Sequence, residues 1–262
     1  MQSLKFSAVF LTVLVLAVGC GKKEEASAPV SLHEMAATQM DPAQFGVLHG
    51  TVTFEGEAPA PRELPVGGNP ECSVMAHGKI MSEDLLVKEG KLANVFIYVK
   101  EGLENFTFPA PAEPVEVSNT GCVYVPHVVG VQVNQPLQIL NNDATLHNVH
   151  ALPKDQPGWN LGLPFQGMKQ IKKFSAPEVM IPLKCDVHPW MMGYIGVLPH
   201  PYFAVTGENG EFSLKNLPPG NYVLEAWHET LGTQQQSVIL GPREDREVLF
   251  SFRRGAVSAP AP

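Results

Sequence analysis

The chain has 262 residues, of which 44% are apolar and 17% charged, and its formal net charge is −8. This describes an ordinary globular chain of one or two domains. No basic run follows Lys22-Lys23, and without clustered Lys and Arg the composition excludes a nucleic-acid-binding surface.

Residues 1–19 read as an export signal. Lys5 gives a short positive region, and Phe6 to Val18 is apolar but too short for a transmembrane helix. The stretch ends Ala17-Val18-Gly19-Cys20. Small residues directly before a Cys resemble a bacterial lipobox, although Ala17 stands where Leu is commoner. The resemblance implies cleavage before Cys20 and acylation of its thiol and amine. That would hold the protein on a membrane, because each buried acyl CH₂ contributes about 0.8 kcal/mol. The plainer alternative is an ordinary signal peptide with a chance Cys. Lys22, in place of Asp at the second mature position, fits outer-membrane sorting toward the periplasm by the same resemblance, with the cell surface as the other exported location.

Residues 20–45 are polar and lack sustained periodicity, so they are expected to be a flexible tether. From Gly46 the pattern becomes β. Val47 to Phe54 alternates weakly and ends at the turn residues Glu55 to Pro59. Leu92 to Val99 is rich in β-branched and aromatic residues and reads as a strand. Short strand-like runs then follow from Val115 to Ala151, a long loop is expected over 152–168, and further runs precede Cys185. Many short strands with turn signals between them mean an all-β sandwich or barrel. After Pro201 the stretch Tyr202 to Leu214 reads as a hairpin with an Asn209-Gly210 turn.

The chemistry is concentrated in Cys185-Asp186-Val187-His188-Pro189-Trp190-Met191. It supplies a thiolate, an imidazole and a thioether. Soft sulfur donors with imidazole suit copper, and two His, one Cys and a weak axial Met make the blue-copper electron-transfer set. The missing imidazole is expected upstream, at His147 in Asn141-Asn142-Asp143-Ala144-Thr145-Leu146-His147-Asn148-Val149. His150 is its rival, and because positions three apart on a strand point to opposite faces the two cannot both readily serve one site. Met192 competes with Met191 on the same ground. Zinc sites seldom use Met, so the thioether favours copper.

These two motifs, in this order, resemble the cupredoxins, and the short ligand loop is most similar to amicyanin. The resemblance covers roughly 114–199 and implies a Greek-key sandwich with one type 1 copper ion held by His147, Cys185, His188 and Met191. It also implies that Asn148 cross-links the two ligand segments and that Pro189 stiffens the loop. Electrons would pass through a partly exposed His188 edge. Trp190, Pro189, Leu152 and Pro164 would form an apolar patch there for a redox protein partner. With Cys20 acylated and Cys185 on the metal, Cys72 and Cys122 are left as a disulfide pair in an exported protein; two separate buried thiols are the alternative.

Gly210 to Tyr222, with Leu217-Pro218-Pro219-Gly220, resembles the carboxypeptidase regulatory-like (transthyretin-like) sandwich. Residues 201–253 supply about four strands, too few to bury both faces of a sandwich. The family's opening strands match Gly50–Gly56 and Leu92–Val99. The expected organisation is therefore an outer unit of 46–108 plus 201–253, with the copper unit 109–200 inserted and a frayed tail over 254–262. Two consecutive domains are the alternative.

The expected function is a membrane-tethered electron carrier on the periplasmic side. A copper carrier or scavenger, or a glycan- or protein-binding surface lipoprotein, are the competing readings. No cluster of His for a second copper centre and no nucleophile–base motif is visible, so the chain is not expected to be an enzyme.

Overall fold

The structure is a computed structural model that describes residues 41–66, 68–75 and 79–255. The expected signal 1–19, Cys20, the tether as far as residue 40 and the tail from 256 lie outside the described residues. Residues 41–45 do not behave as tether. Asp41 caps a 3₁₀ turn, Pro42–Gln44, by accepting the Ala43 N–H, and the Gln44 carbonyl accepts the Arg243 N–H.

The fold is all-β. Its strands are β1 (Gly46–Glu55), β2 (Val87–Lys88), β3 (Lys91–Leu92), β4 (Phe96–Glu101), β5 (Val115–Thr120), β6 (Val123–Val125), β7 (Val128–Gln132), β8 (Leu137–Asn141) and β9 (His147–Ala151). They continue as β10 (Trp159–Leu163), β11 (Lys169–Lys172), β12 (Glu178–Lys184), β13 (Met192–Leu198), β14 (Phe203–Val205), β15 (Glu211–Leu217), β16 (Gly220–His228), β17 (Gly232–Leu240) and β18 (Asp245–Arg253). One short helix, α1 (Pro70–Met75), precedes β2.

The strands form four sheets. In one, β1 pairs antiparallel with β15 and β3 and parallel with β18. Facing it is β14–β4–β16–β17. Leu48, Val52 and Phe54 of β1 alternate inward against Ile97, Leu224 and Phe250 in a core drawn from both ends of the chain. The other two sheets, β10–β9–β12–β13–β7 and β11–β8–β5–β6, enclose a second core that includes Tyr124, Ile139, Val149 and Ile181.

Two departures from the sequence pattern concern β10 and β14. The expected loop 152–168 contains β10, which pairs with β9 along its length. The expected hairpin at Tyr202–Leu214 is absent: β14 pairs with β4 in one sheet and β15 with β1 in the opposite one. The turn itself forms, with the Gly210 N–H on the Gly207 carbonyl. It carries the chain across the sandwich instead of back along the same ladder.

A third departure is the stretch before β2. Val66, Cys72 and Ile80 belong to the second core, not to the core of β1. Strand β4 explains how the two cores meet. Ile97 and Val99 face the first core, whereas Phe96 and Tyr98 join Val128, Met180 and Leu198 in a third cluster. Burial on both faces accounts for its unbroken apolar run.

Candidate metal centre

The donor residues sit at strand ends. His147 opens β9, and Cys185 directly follows β12. His188 and Met191 lie in the turn that leads into β13. That turn is closed by the Met191 N–H on the His188 carbonyl and the Cys185 N–H on the Met191 carbonyl. The β9–β12 ladder pairs Ala151 with Leu183 and His150 with Lys184, which brings the segments of His147 and Cys185 side by side.

His147, Cys185 and His188 present donor atoms that all lie within 4.8 Å of one another. The two Nδ1 atoms face each other at 3.0 Å, and Cys185 Sγ is 3.7 Å from His188 Nδ1. Two nitrogens at that separation can share an ion through bonds of about 2.0–2.1 Å, the imidazole–metal length known for zinc. All three side chains are buried, His147 and Cys185 at 0% and 2% exposure. The soft thiolate, the paired imidazoles and the dry surroundings fit copper. Met191 is buried in the same core at 1% exposure, whereas Met192 opens β13 half-buried. His150 points outward to Asp186, 3.1 Å away.

Asn148 makes the expected cross-link. Its Oδ1 accepts the Asp186 N–H at 2.7 Å and the Cys185 thiol at 3.2 Å, and its own carbonyl accepts the Tyr124 hydroxyl. Burial raises the Cys185 pKa, but hydrogen bonds from His147 and nearby backbone groups outweigh it and hold the thiol below its ordinary value. Burial lowers the His147 pKa, and Asp143 and Cys185 reverse the sign, leaving it raised. For His188, burial and the neighbouring His147 both act downward. The lowered Cys185 and His188 values favour the deprotonated forms that metals bind, whereas the raised His147 value acts the other way.

Two supporting residues lie outside the ligand motifs' assigned roles. Asp143 Oδ2 lies 2.9 Å from His147 Nε2 and also accepts the Cys122 N–H at 2.8 Å. A carboxylate four residues before a candidate His ligand was the available signal. Asn69 Nδ2 lies 2.8 Å from His188 Nε2, across 119 residues of sequence, and no local pattern announces it. Cys72 and Cys122 form a disulfide, and Cys185 is the free cysteine among the described residues.

The expected docking edge is corrected by this arrangement. His188 is 1% exposed, not partly exposed, because Asn69 and the segment leading into α1 fold over its outer nitrogen. Trp190 is half-buried and turns its indole N–H inward to the Cys122 carbonyl at 3.1 Å. Pro189, Leu152 and Pro164 are exposed.

No family model and no curated protein sequence matches the chain. Among solved structures, the chain is similar to a copper-containing nitrite reductase from Thermus scotoductus, at 23% identity and a TM-score of 0.30, over 34% of this chain and 23% of that one. It is similar to a purple cupredoxin from Nitrosopumilus maritimus at 20% identity and a TM-score of 0.27, over 32% of this chain and 98% of that one. An oxidised amicyanin variant matches at 22% identity and a TM-score of 0.29, over 32% of this chain and 81% of that one. The chain thus spans about a quarter of the nitrite reductase and most of the two smaller proteins, and each likeness concerns the fold of about a third of this chain.

Proposed function

We propose that the chain is an electron-transfer protein with one type 1 copper ion, held by His147, Cys185 and His188 with Met191 as a weak fourth donor. The observation that carries this reading is the convergence of the His147 and His188 Nδ1 atoms with the Cys185 thiol in one buried cluster. Copper, when bound, supplies a one-electron couple there. The chain's own residues do the rest. Asn148 holds Cys185 and the following amide in place, Asp143 and Asn69 orient the rings, and the surrounding apolar core excludes water. A cage fixed from several sides moves little between redox states, which keeps electron transfer fast.

The protein would be anchored by lipid at Cys20, facing the periplasm, and would meet a redox partner at a small apolar surface. The carboxypeptidase regulatory-like sandwich would serve as its mount. Burial of His188 beneath Asn69 favours metal retention over the rapid release a copper carrier needs. The test is the visible and EPR spectrum of copper-loaded, oxidised protein. An intense thiolate-to-copper band that disappears in Cys185→Ser is expected; copper-loaded protein without that band would refute the reading.

A further inference from the structure

Two paths of contact run outward from the paired imidazoles and end on the same disulfide. From His147 Nε2 the path crosses 2.9 Å to Asp143 Oδ2, and that oxygen accepts the Cys122 N–H at 2.8 Å. From His188 Nε2 it crosses 2.8 Å to Asn69 Nδ2, and Asn69 Oδ1 accepts the Cys72 N–H at 3.0 Å. Cys72 and Cys122 are bonded to each other. Trp190 adds a third tie: its ring lies 5.1 Å from that of His188, centroid to centroid, and its N–H reaches the Cys122 carbonyl.

An imidazole that gives one nitrogen to a metal is oriented through the other, and partners at that second nitrogen tune the site. Here the two partners stand on different segments. Asp143 lies just before β9, whereas Asn69 comes from a stretch that belongs to neither ligand strand. The disulfide joins the Asn69 stretch covalently to Cys122, whose N–H Asp143 accepts, and the Thr145 hydroxyl meets the Glu71 carboxylate beside it.

We propose that the Cys72–Cys122 disulfide is a clamp on the metal centre that positions both imidazoles, His147 through Asp143 and His188 through Asn69. Asn69 and Asp143 are positioning residues. The clamp rests on the copper reading for its spectroscopic consequences but not for its effect on the rings. A metal on His188 Nδ1 leaves the proton on Nε2, where only an acceptor can meet it. The Asn69 amide can offer its oxygen there only by turning over, which withdraws that oxygen from the Cys72 N–H. An Asp at 69 could accept from both Nε2–H and the Cys72 N–H.

The experiment compares wild type with Cys72→Ser/Cys122→Ser, Asn69→Ala and Asn69→Asp, each first checked for a wild-type β spectrum by circular dichroism. In the metal-free proteins, imidazole ¹H–¹⁵N NMR is expected to show slowly exchanging His188 ring signals in wild type, broadened or lost in the disulfide variant and in Asn69→Ala. Copper binding should weaken about 10–100-fold in those two variants, with a changed EPR hyperfine pattern, and Asn69→Asp should restore both. A folded disulfide variant with wild-type ring signals and copper retention would overturn the proposal. If wild type and Cys185→Ser take up copper alike, the copper reading fails, and the ring signals still decide the clamp.

Discussion

Phe203, on the sheet of β4, occupies the space that a side chain on Gly130 of β7 would need: a Cβ there would sit 2.4 Å from its ring. Gly196 of β13 stands in the same relation to Phe96, at 2.5 Å. Phe96 belongs to the cluster that joins the two sandwiches, and Phe203 packs against it. Gly130→Ala and Gly196→Ala are therefore expected to destabilise by about 1–3 kcal/mol each, the usual cost of overpacking. Urea titration checks this, and Phe203→Leu should recover part of the loss in Gly130→Ala only.

Asp143 holds the Gly121 and Cys122 amides at 2.7 and 2.8 Å besides its contact with His147. Asp143→Ala leaves these donors without their partner. The expected loss is about 1.5–3 kcal/mol for each charge-assisted hydrogen bond removed, read from urea denaturation of the metal-free protein. Asp143→Asn, which keeps one oxygen acceptor, should cost less.

The disulfide closes a loop across a sequence separation of 50 residues. On the chain-entropy account this stabilises by about 4 kcal/mol. Cys72→Ser/Cys122→Ser should lower the unfolding free energy by an amount of this order, while Cys185→Ser, which leaves the crosslink intact, should change it far less. Equal losses from the two would contradict this.

Stability should fall on both sides of the ordinary histidine pKa, for opposite reasons. Burial lowers His200 and His228 from 6.5 to about 4. Their unfolded forms take up protons first, so the stabilisation present above 6.5 is lost as the pH falls from 6.5 toward 4. For His127, burial acts downward, but the hydrogen bond and charge of Glu229, with Glu83 beyond, raise its pKa above 6.5. That stabilisation is complete below 6.5 and lost as the pH rises through the raised value. His200→Gln should flatten the acid limb and His127→Gln the alkaline one in denaturant midpoints measured against pH.

The grouping of the candidate donors was legible because its information is local. Cys185, His188 and Met191 share one turn, and His147 was preferred to His150 on the His-Asn-Val match; His150 Nδ1 lies 3.1 Å from Asp186. Asn69 was not legible, since its contact with His188 depends on how a chain segment 119 residues away folds over the site. The exposure of His188 was misread for the same reason. At Asn209-Gly210 the turn chemistry was right, yet a turn sets only where the chain reverses, and partner choice placed β14 and β15 in different sheets. Strand β10 was hidden in a polar, proline-flanked stretch because it takes its ladder from β9.

The parallel ladder between β1 and β18, from Val47 opposite Asp245 to Glu55 opposite Arg253, has a consequence for how the chain reaches this state. These partners are separated by almost the whole described chain, so their pairing carries a large loop-closure cost and belongs late in folding. The sandwich between them closes over much shorter separations, and once formed it brings the two ends near each other. During synthesis the half that holds β5 to β13 can thus collapse while β1 still waits for the residues that complete its sheet. An exposed, unpaired β1 is then the stage of assembly most open to pairing with a neighbouring chain.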